Sequence, residues 1–128
     1  MDGTMMPTLS RIGQIAVTVQ DLERAVTFYR DALGVRFLFQ VPGLAFFDCD
    51  GVRLMLSHPE SPEFDHPSSV LYFVVSDIEA TYAELKGRDV SFRDLPHKIA
   101  DMPDHELWMA FFGDGEGNTL ALMSERRR

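Results

Sequence analysis

Apolar and polar positions alternate in short bursts along this chain, and the bursts form two matching sets. Ile15 to Val19 is a β-branched run that predicts a strand. Asp21 follows as a helix N-cap. Leu22, Val26, Tyr29 and Leu33 then recur at helical spacing up to Gly34, a glycine stop. Strands are predicted near Val35 to Gln40, Leu44 to Asp48 and Val52 to Ser57, with Asp50-Gly51 as a hairpin signal. The unit reads βαβββ. It then starts again: a strand from Val70 to Val75, a cap at Ser76 or Asp77, and a helix through Ile78, Tyr82 and Leu85 to Gly87. Strands follow near Val90 to Arg93, Leu107 to Phe112 and Thr119 to Met123. The turn Gly113-Asp-Gly-Glu-Gly-Asn118 is the strongest hairpin signal in the chain.

The residues repeat as well as the pattern. Ile15-Ala-Val-Thr-Val-Gln-Asp-Leu-Glu-Arg24 returns as Leu71-Tyr-Phe-Val-Val-Ser-Asp-Ile-Glu-Ala80, and Gly51-Val-Arg-Leu-Met-Leu56 returns as Gly117-Asn-Thr-Leu-Ala-Leu122. One supersecondary unit built twice predicts an α+β fold of two modules in one structural domain. The expected division is a loose N-terminus over 1–9, a first module over 10–57, a linker over 58–69, a second module over 70–124 and a basic tail over 125–128. Between Leu95 and Glu106 lies a segment with no counterpart in the first copy, read as a lid-like loop. The repeat also makes Gln14, Met55, Val70 and Ala121 equivalent, at the start and end of each copy.

Strand alternation separates two faces. One carries Ile15, Val17, Leu54, Leu56, Leu120 and Leu122 among others, and is expected beneath the helices. The other carries Gln14, Ala16, Arg53, Met55, Val70, Tyr72, Ala121 and Met123. That mixed, small-sided face is either a ligand wall or a half-wet or subunit-contact surface.

Composition narrows the classes. A net charge of −8 with no basic stripe excludes a nucleic-acid platform. Arg126 to Arg128 are too few to change this and read as a solvated tail. The single cysteine, Cys49, excludes an internal disulfide and fits a reducing cytoplasm; Asp48 and Asp50 beside it disfavour a reactive thiolate. No apolar run approaches the roughly 20 residues of a membrane span, and residues 1–8 lack the pattern of a signal peptide.

Asp-Leu-Glu-Arg-Ala-Val-Thr-Phe-Tyr followed by Leu-Gly in the first copy, with Gly-Asp-Gly-Glu-Gly-Asn-Thr-Leu in the second, resembles the vicinal oxygen chelate superfamily. This is the glyoxalase, bleomycin-resistance and extradiol dioxygenase group, and the resemblance covers about residues 10–124. It implies two modules whose mixed sheets curl into a cup, with helices on the convex face and a small-molecule ligand on the concave one. It also implies a homodimer. Metal ligands in such enzymes occupy the positions that fall here on Gln14, Met55, Val70 and Ala121. Only Gln14 matches a family ligand, and Met, Val and Ala supply no hard donor set. The expectation is therefore a member with no metal and no cofactor. Its cup would be lined by Gln14, Arg53, Met55, Val70, Tyr72, Trp108 and Ala121, and would bind a small apolar or aromatic molecule.

Two other readings stay open. One is a metal-independent lyase or isomerase in which His105, beside Asp104 and Glu106, acts as general base. The other is a metal-dependent glyoxalase or dioxygenase whose ligands are displaced to His97, His105 and Glu106. The four histidines, His58, His66, His97 and His105, all fall in predicted loops. Trp108 is either a stacking platform or a core or dimer-contact residue, and Arg53 is either an anion partner or a rim residue. Phe46-Phe47 and Phe111-Phe112 each put one aromatic away from the helices, which favours a second chain over a bare monomer.

Overall fold

The two acidic caps act as their positions demand. In a computed structural model describing residues 9–128, the Asp21 carboxylate accepts from the Arg24 amide at 3.1 Å and Asp77 accepts from the Ala80 amide at 3.0 Å. Of the expected loose terminus, residues 1–8 lie outside the described residues. The first copy runs β1 (Gln14–Thr18), α1 (Leu22–Thr27) with a widened π turn (Phe28–Ala32), β2 (Arg36–Val41), β3 (Leu44–Cys49) and β4 (Val52–Ser57). A short 3-10 turn (Pro62–Phe64) lies in the linker. The second copy runs β5 (Leu71–Val74), α2 (Ile78–Gly87), β6 (His97–Asp101), β7 (His105–Gly113) and β8 (Thr119–Arg127).

The strands make two four-stranded mixed sheets of matching order, β1-β4-β3-β2 and β5-β8-β7-β6. The first strand of each copy pairs parallel with the last, and the other pairs are antiparallel. Asp50 and Gly51 both have positive φ, 51° and 95°, as a two-residue hairpin of this twist requires. The helices cover one face of each sheet. Val17, Leu54, Leu56, Leu120 and Leu122 are buried there with Tyr29, Phe47 and Phe112 in one cluster that spans both modules.

The second copy departs from expectation in three places. Val90 to Arg93 forms no strand of its own and contributes a single bridge, Phe92 to Phe112. The strand that matches β2 is instead β6, inside the segment read as a lid. Its residues are almost all exposed, so no apolar alternation announced it, and Pro96 just before it reads as loop. As a result His97 lies in a strand, and so does His105, because β7 starts two residues before its expected start at Leu107. Finally, β8 continues to Arg127, beyond the expected end at Met123. Acids recruit the supposed tail into the sheet: Arg126 lies 3.8 Å over the Trp108 ring and pairs with Glu79, Arg127 pairs with Asp104, and Arg128 pairs with Asp101 at 2.6 Å.

The modules are joined by a polar latch built from the glycine-rich turn. Asp114 is buried, and its carboxylate accepts from the Tyr29 hydroxyl at 2.8 Å, the Glu116 and Asn118 amides at 2.8 and 3.1 Å, and Asn118 Nδ2 at 2.8 Å. Asn118 Nδ2 also donates to the Thr18 carbonyl at 2.9 Å. Glu116 reaches the start of α1, accepting from the Gln20 and Asp21 amides at 2.6 and 3.0 Å and from Arg24 Nε at 2.9 Å.

Burial pushes the Glu116 carboxyl up. The Asp21 amide, the Arg24 guanidinium and the Gln20 amide outweigh that and hold it below the usual glutamate range. A depressed carboxyl stabilises the fold fully above its unfolded value, about 4.3, and the contribution fades as pH falls through the lower folded value. Urea midpoints of wild type and Glu116→Gln should therefore be well separated at pH 6 and draw together toward pH 2. A gap that stays constant with pH would show that Glu116 is not the linked group.

Candidate functional site

The face of the first sheet away from the helices is ordered in rows. Strand register places Arg36, Asp48, Arg53 and Gln14 side by side, then Phe39, Phe46, Met55 and Ala16, then Val41, Leu44, Ser57 and Thr18. A bulge at Leu38 keeps Phe39 in line with Phe46. The middle row is a soft aromatic floor. Phe39 and Phe46 stack with centroids 4.7 Å apart, and Phe39 is 47% exposed. The Gln14 Nε2 lies 3.7 Å from the Met55 sulfur, a weak contact that joins the floor to the polar row. The Arg53 guanidinium lies 5.8 Å from the Phe46 centroid.

The equivalent row of the second sheet is Phe111, Ala121 and Tyr72. Tyr72 and Phe111 stand two strands apart, about 9–10 Å, yet their centroids are 6.1 Å apart, edge to face. The rings therefore close over Ala121, which has no exposed surface. Ala121 was expected to border open space; it is roofed instead. Val70 precedes β5 and is exposed.

Trp108 does not join this face. It sits opposite Ser124 on the side of Ala110 and Phe112, packs against the core cluster, and donates from Nε1 to Glu106 at 2.9 Å. The ambiguity left by the sequence resolves to a structural role beside Arg126. The single tryptophan gave no signal of its face until the register of β7 against β8 was known.

His105 does share the face with Phe111, but six residues away along β7, about 20 Å at ~3.4 Å per residue. Both its ring nitrogens face acids, Nδ1 at 2.7 Å from Asp104 and Nε2 at 3.8 Å from Glu125. Glu106 follows it in the strand and so points to the opposite face. His97 pairs across from Met109, four residues further along β7. The trio His97, His105 and Glu106 is not brought together.

The resemblance places metal-ligand positions at Gln14, Met55, Val70 and Ala121. Here the side chains at those positions are an amide, a thioether, an isopropyl group and a methyl group. One neutral oxygen and one soft sulfur do not make a site for a hard divalent ion. Among the described residues no group of three or more His, Cys, Asp or Glu is placed to hold a metal elsewhere.

Residues 11–122 match the family model described as Glyoxalase/Bleomycin resistance protein/Dioxygenase superfamily. The chain belongs to that superfamily. Among its relatives is YurT of Bacillus subtilis, 29% identical over 126 residues, with 86% of this chain and 95% of the relative covered. Another is the metallothiol transferase FosB of Staphylococcus epidermidis, 28% identical, with 87% and 81% covered. A solved lactoylglutathione lyase from Agrobacterium tumefaciens superposes with a TM-score of 0.76 at 22% identity, covering 91% of this chain and 95% of that one. At that identity the superposition speaks for the superfamily fold alone. Among the described residues no helix is long and apolar enough to cross a membrane.

Proposed function

We propose that this superfamily member binds a small, largely aromatic molecule on the open face of its first module, without a metal, in a reducing cytoplasm. The observation that carries the reading is the exposed Phe39, stacked on the buried Phe46, beside a half-buried Met55 at a position where metal-dependent members of the superfamily would place a ligand-bearing side chain. An open aromatic and thioether surface favours a flat apolar partner, because burying it removes apolar area from water and thioethers adapt to ring edges. Ala16 borders Met55 and is exposed, whereas the equivalent residue of the second module is Tyr72. Copying that tyrosine into the first module should roof Met55 as Tyr72 helps roof Ala121. Wild type should enhance the fluorescence of the neutral probe N-phenyl-1-naphthylamine, and Ala16→Tyr should abolish the enhancement with an unchanged circular dichroism spectrum. Equal enhancement by both proteins would refute the site.

Protein purified without chelator should carry no stoichiometric divalent ion. About one Ni, Zn, Fe or Mn per chain, lost on Gln14→Ala, would overturn the metal-free reading.

The second module's face favours pairing with another copy. Tyr72 is 47% exposed and Val74 75%, an apolar strand segment with unusual access to water. Closed two-fold association is the commonest way such a surface is covered. Sedimentation at micromolar concentration should give about twice the 14.5 kDa chain mass; a single species at 14.5 kDa would exclude the dimer.

A further inference from the structure

The polar row beside the aromatic floor carries an excess of positive charge that the protein does not use internally. Most other arginines are committed to acids, Arg24 to Glu116, Arg88 to Glu84, Arg126 to Glu79 and Arg128 to Asp101, while Arg93 donates to the Thr119 hydroxyl at 2.6 Å. Arg53 and Arg36 make no ion pair among the described residues, although the chain as a whole has a net charge of −8. The one acid in their row is Asp48, which lies between them in the register and turns one oxygen to the Gly51 amide at 3.1 Å. A third guanidinium, that of Arg11, donates to the Gly51 carbonyl at the same end of the sheet. Two cations against one partly committed carboxylate leave this row net positive. It abuts the part of the face where Phe39, stacked on the buried Phe46, is 47% exposed and the Met55 thioether is half-buried.

We propose that the ligand is a planar aromatic carboxylate, its ring on Phe39 and Met55 and its carboxylate on Arg53, with the Gln14 amide as a second donor. This rests on the reading of the first-module face as the binding site and adds the ligand's charge and orientation to it. The chemistry follows from the row order. Arg53 is the cross-strand neighbour of Gln14 and lies two residues from Met55, so an anion at the guanidinium leaves an attached ring over the floor. A guanidinium presents a planar fork of donors that matches a carboxylate, and the Phe46 ring 5.8 Å away favours the positive charge there. An uncharged ring would gain the floor but leave both donors facing water. A carboxylate on a flexible alkyl chain would gain the donors and lose the stacking.

The test is displacement of N-phenyl-1-naphthylamine from the full chain by 2-naphthoate and by its uncharged methyl ester. The acid should displace the probe at a concentration at least tenfold lower than the ester, with the advantage shrinking as salt is raised. Arg53→Met keeps the length and apolar stem without the charge. It should bring the acid's displacing concentration up to that of the ester, a ratio read within the variant itself and so independent of how tightly the probe binds it. Arg53→Lys should keep part of the acid's advantage. Equal displacement by acid and ester in wild type overturns the proposal while the site stands. Persistence of the advantage in Arg53→Met also overturns it, since the charge is then read elsewhere. If the probe itself does not bind wild type, both the site and this assignment fall together.

Discussion

Asp114→Ala is expected to cost about 3 kcal/mol or more in urea denaturation, a large part of the ~5–15 kcal/mol that stabilises a domain of this kind. The carboxylate is buried at the junction of the modules and is the acceptor for a phenol, two backbone amides and a side-chain amide. Alanine removes the acceptor and leaves the donors in place. Tyr29 is fully buried and has no route to water, so its hydroxyl becomes an unpaired polar group in the core. Each such orphan costs about 1–3 kcal/mol, partly offset by no longer burying a charge. Tyr29→Phe is the milder probe, expected at about 1–2 kcal/mol, because Asp114 keeps its other donors. Burial and the adjoining Asp114 carboxylate drive the Tyr29 hydroxyl far above the ordinary phenol range, so it remains a donor at every working pH. The double variant should cost less than the sum of the singles, which is the signature of a shared contact. A loss below about 1 kcal/mol for Asp114→Ala would mean the latch is ornamental.

The second large effect is expected at Ala121. Replacing it with tryptophan inserts an indole where Tyr72 and Phe111 already meet. Overpacking a closed site costs typically about 1–3 kcal/mol, and the largest residue in place of a methyl group belongs at or beyond the upper end. The thermal midpoint of Ala121→Trp should fall by at least ~8 °C, or the chain should fail to accumulate as folded protein. Ala16→Tyr, which faces open space, should change it by under ~3 °C. The pair discriminates a roofed position from an open one at equivalent places in the repeat. If Ala121→Trp melts like wild type, the rings swing aside and the second module has an open face too.

The contrast between Ala16 and Ala121 also marks what could be read from residue order. Alternation assigned faces well: Leu54, Leu56, Leu120 and Leu122 are buried under the helices, and Gln14, Arg53 and Tyr72 are exposed on the other side. Caps and the Asp50-Gly51 turn followed from local chemistry, and the mixed topology from the family resemblance. Alternation carries no information about what leans over a position, and so Ala121 was expected to be open. It also fails for edge strands. In β6 both faces meet water, and a strand without alternation looks like loop, which turned His97 into a supposed loop residue; His105 was missed because β7 starts two residues before the expected Leu107. The C-terminal arginines fail for the opposite reason. Their partners, Glu79, Asp101 and Asp104, are distant or unremarkable in sequence and become partners only once β8 lies beside β7. Trp108 was undecidable until that same register placed it opposite Ser124.

The fastening of the two modules is one-sided. Asp114 and Glu116, in the turn of the second module, grip Tyr29 and the start of α1 in the first. The corresponding turn of the first module, around Asp50-Gly51, makes no hydrogen bond to the second module among the described residues. Duplication would have produced two such fasteners; here one turn works beside the shared apolar core and Arg88, which donates to the Ala32 carbonyl at 3.1 Å. The turn left over, with the Arg36, Asp48 and Arg53 row at its base, is free to drift in sequence without loosening the domain. Selection can therefore retune what this end of the sheet recognises independently of the joint. Library diversification at Arg36, Asp48 and Arg53 should yield mostly folded variants, whereas the same diversification at Asp114, Glu116 and Asn118 should yield mostly unfolded ones.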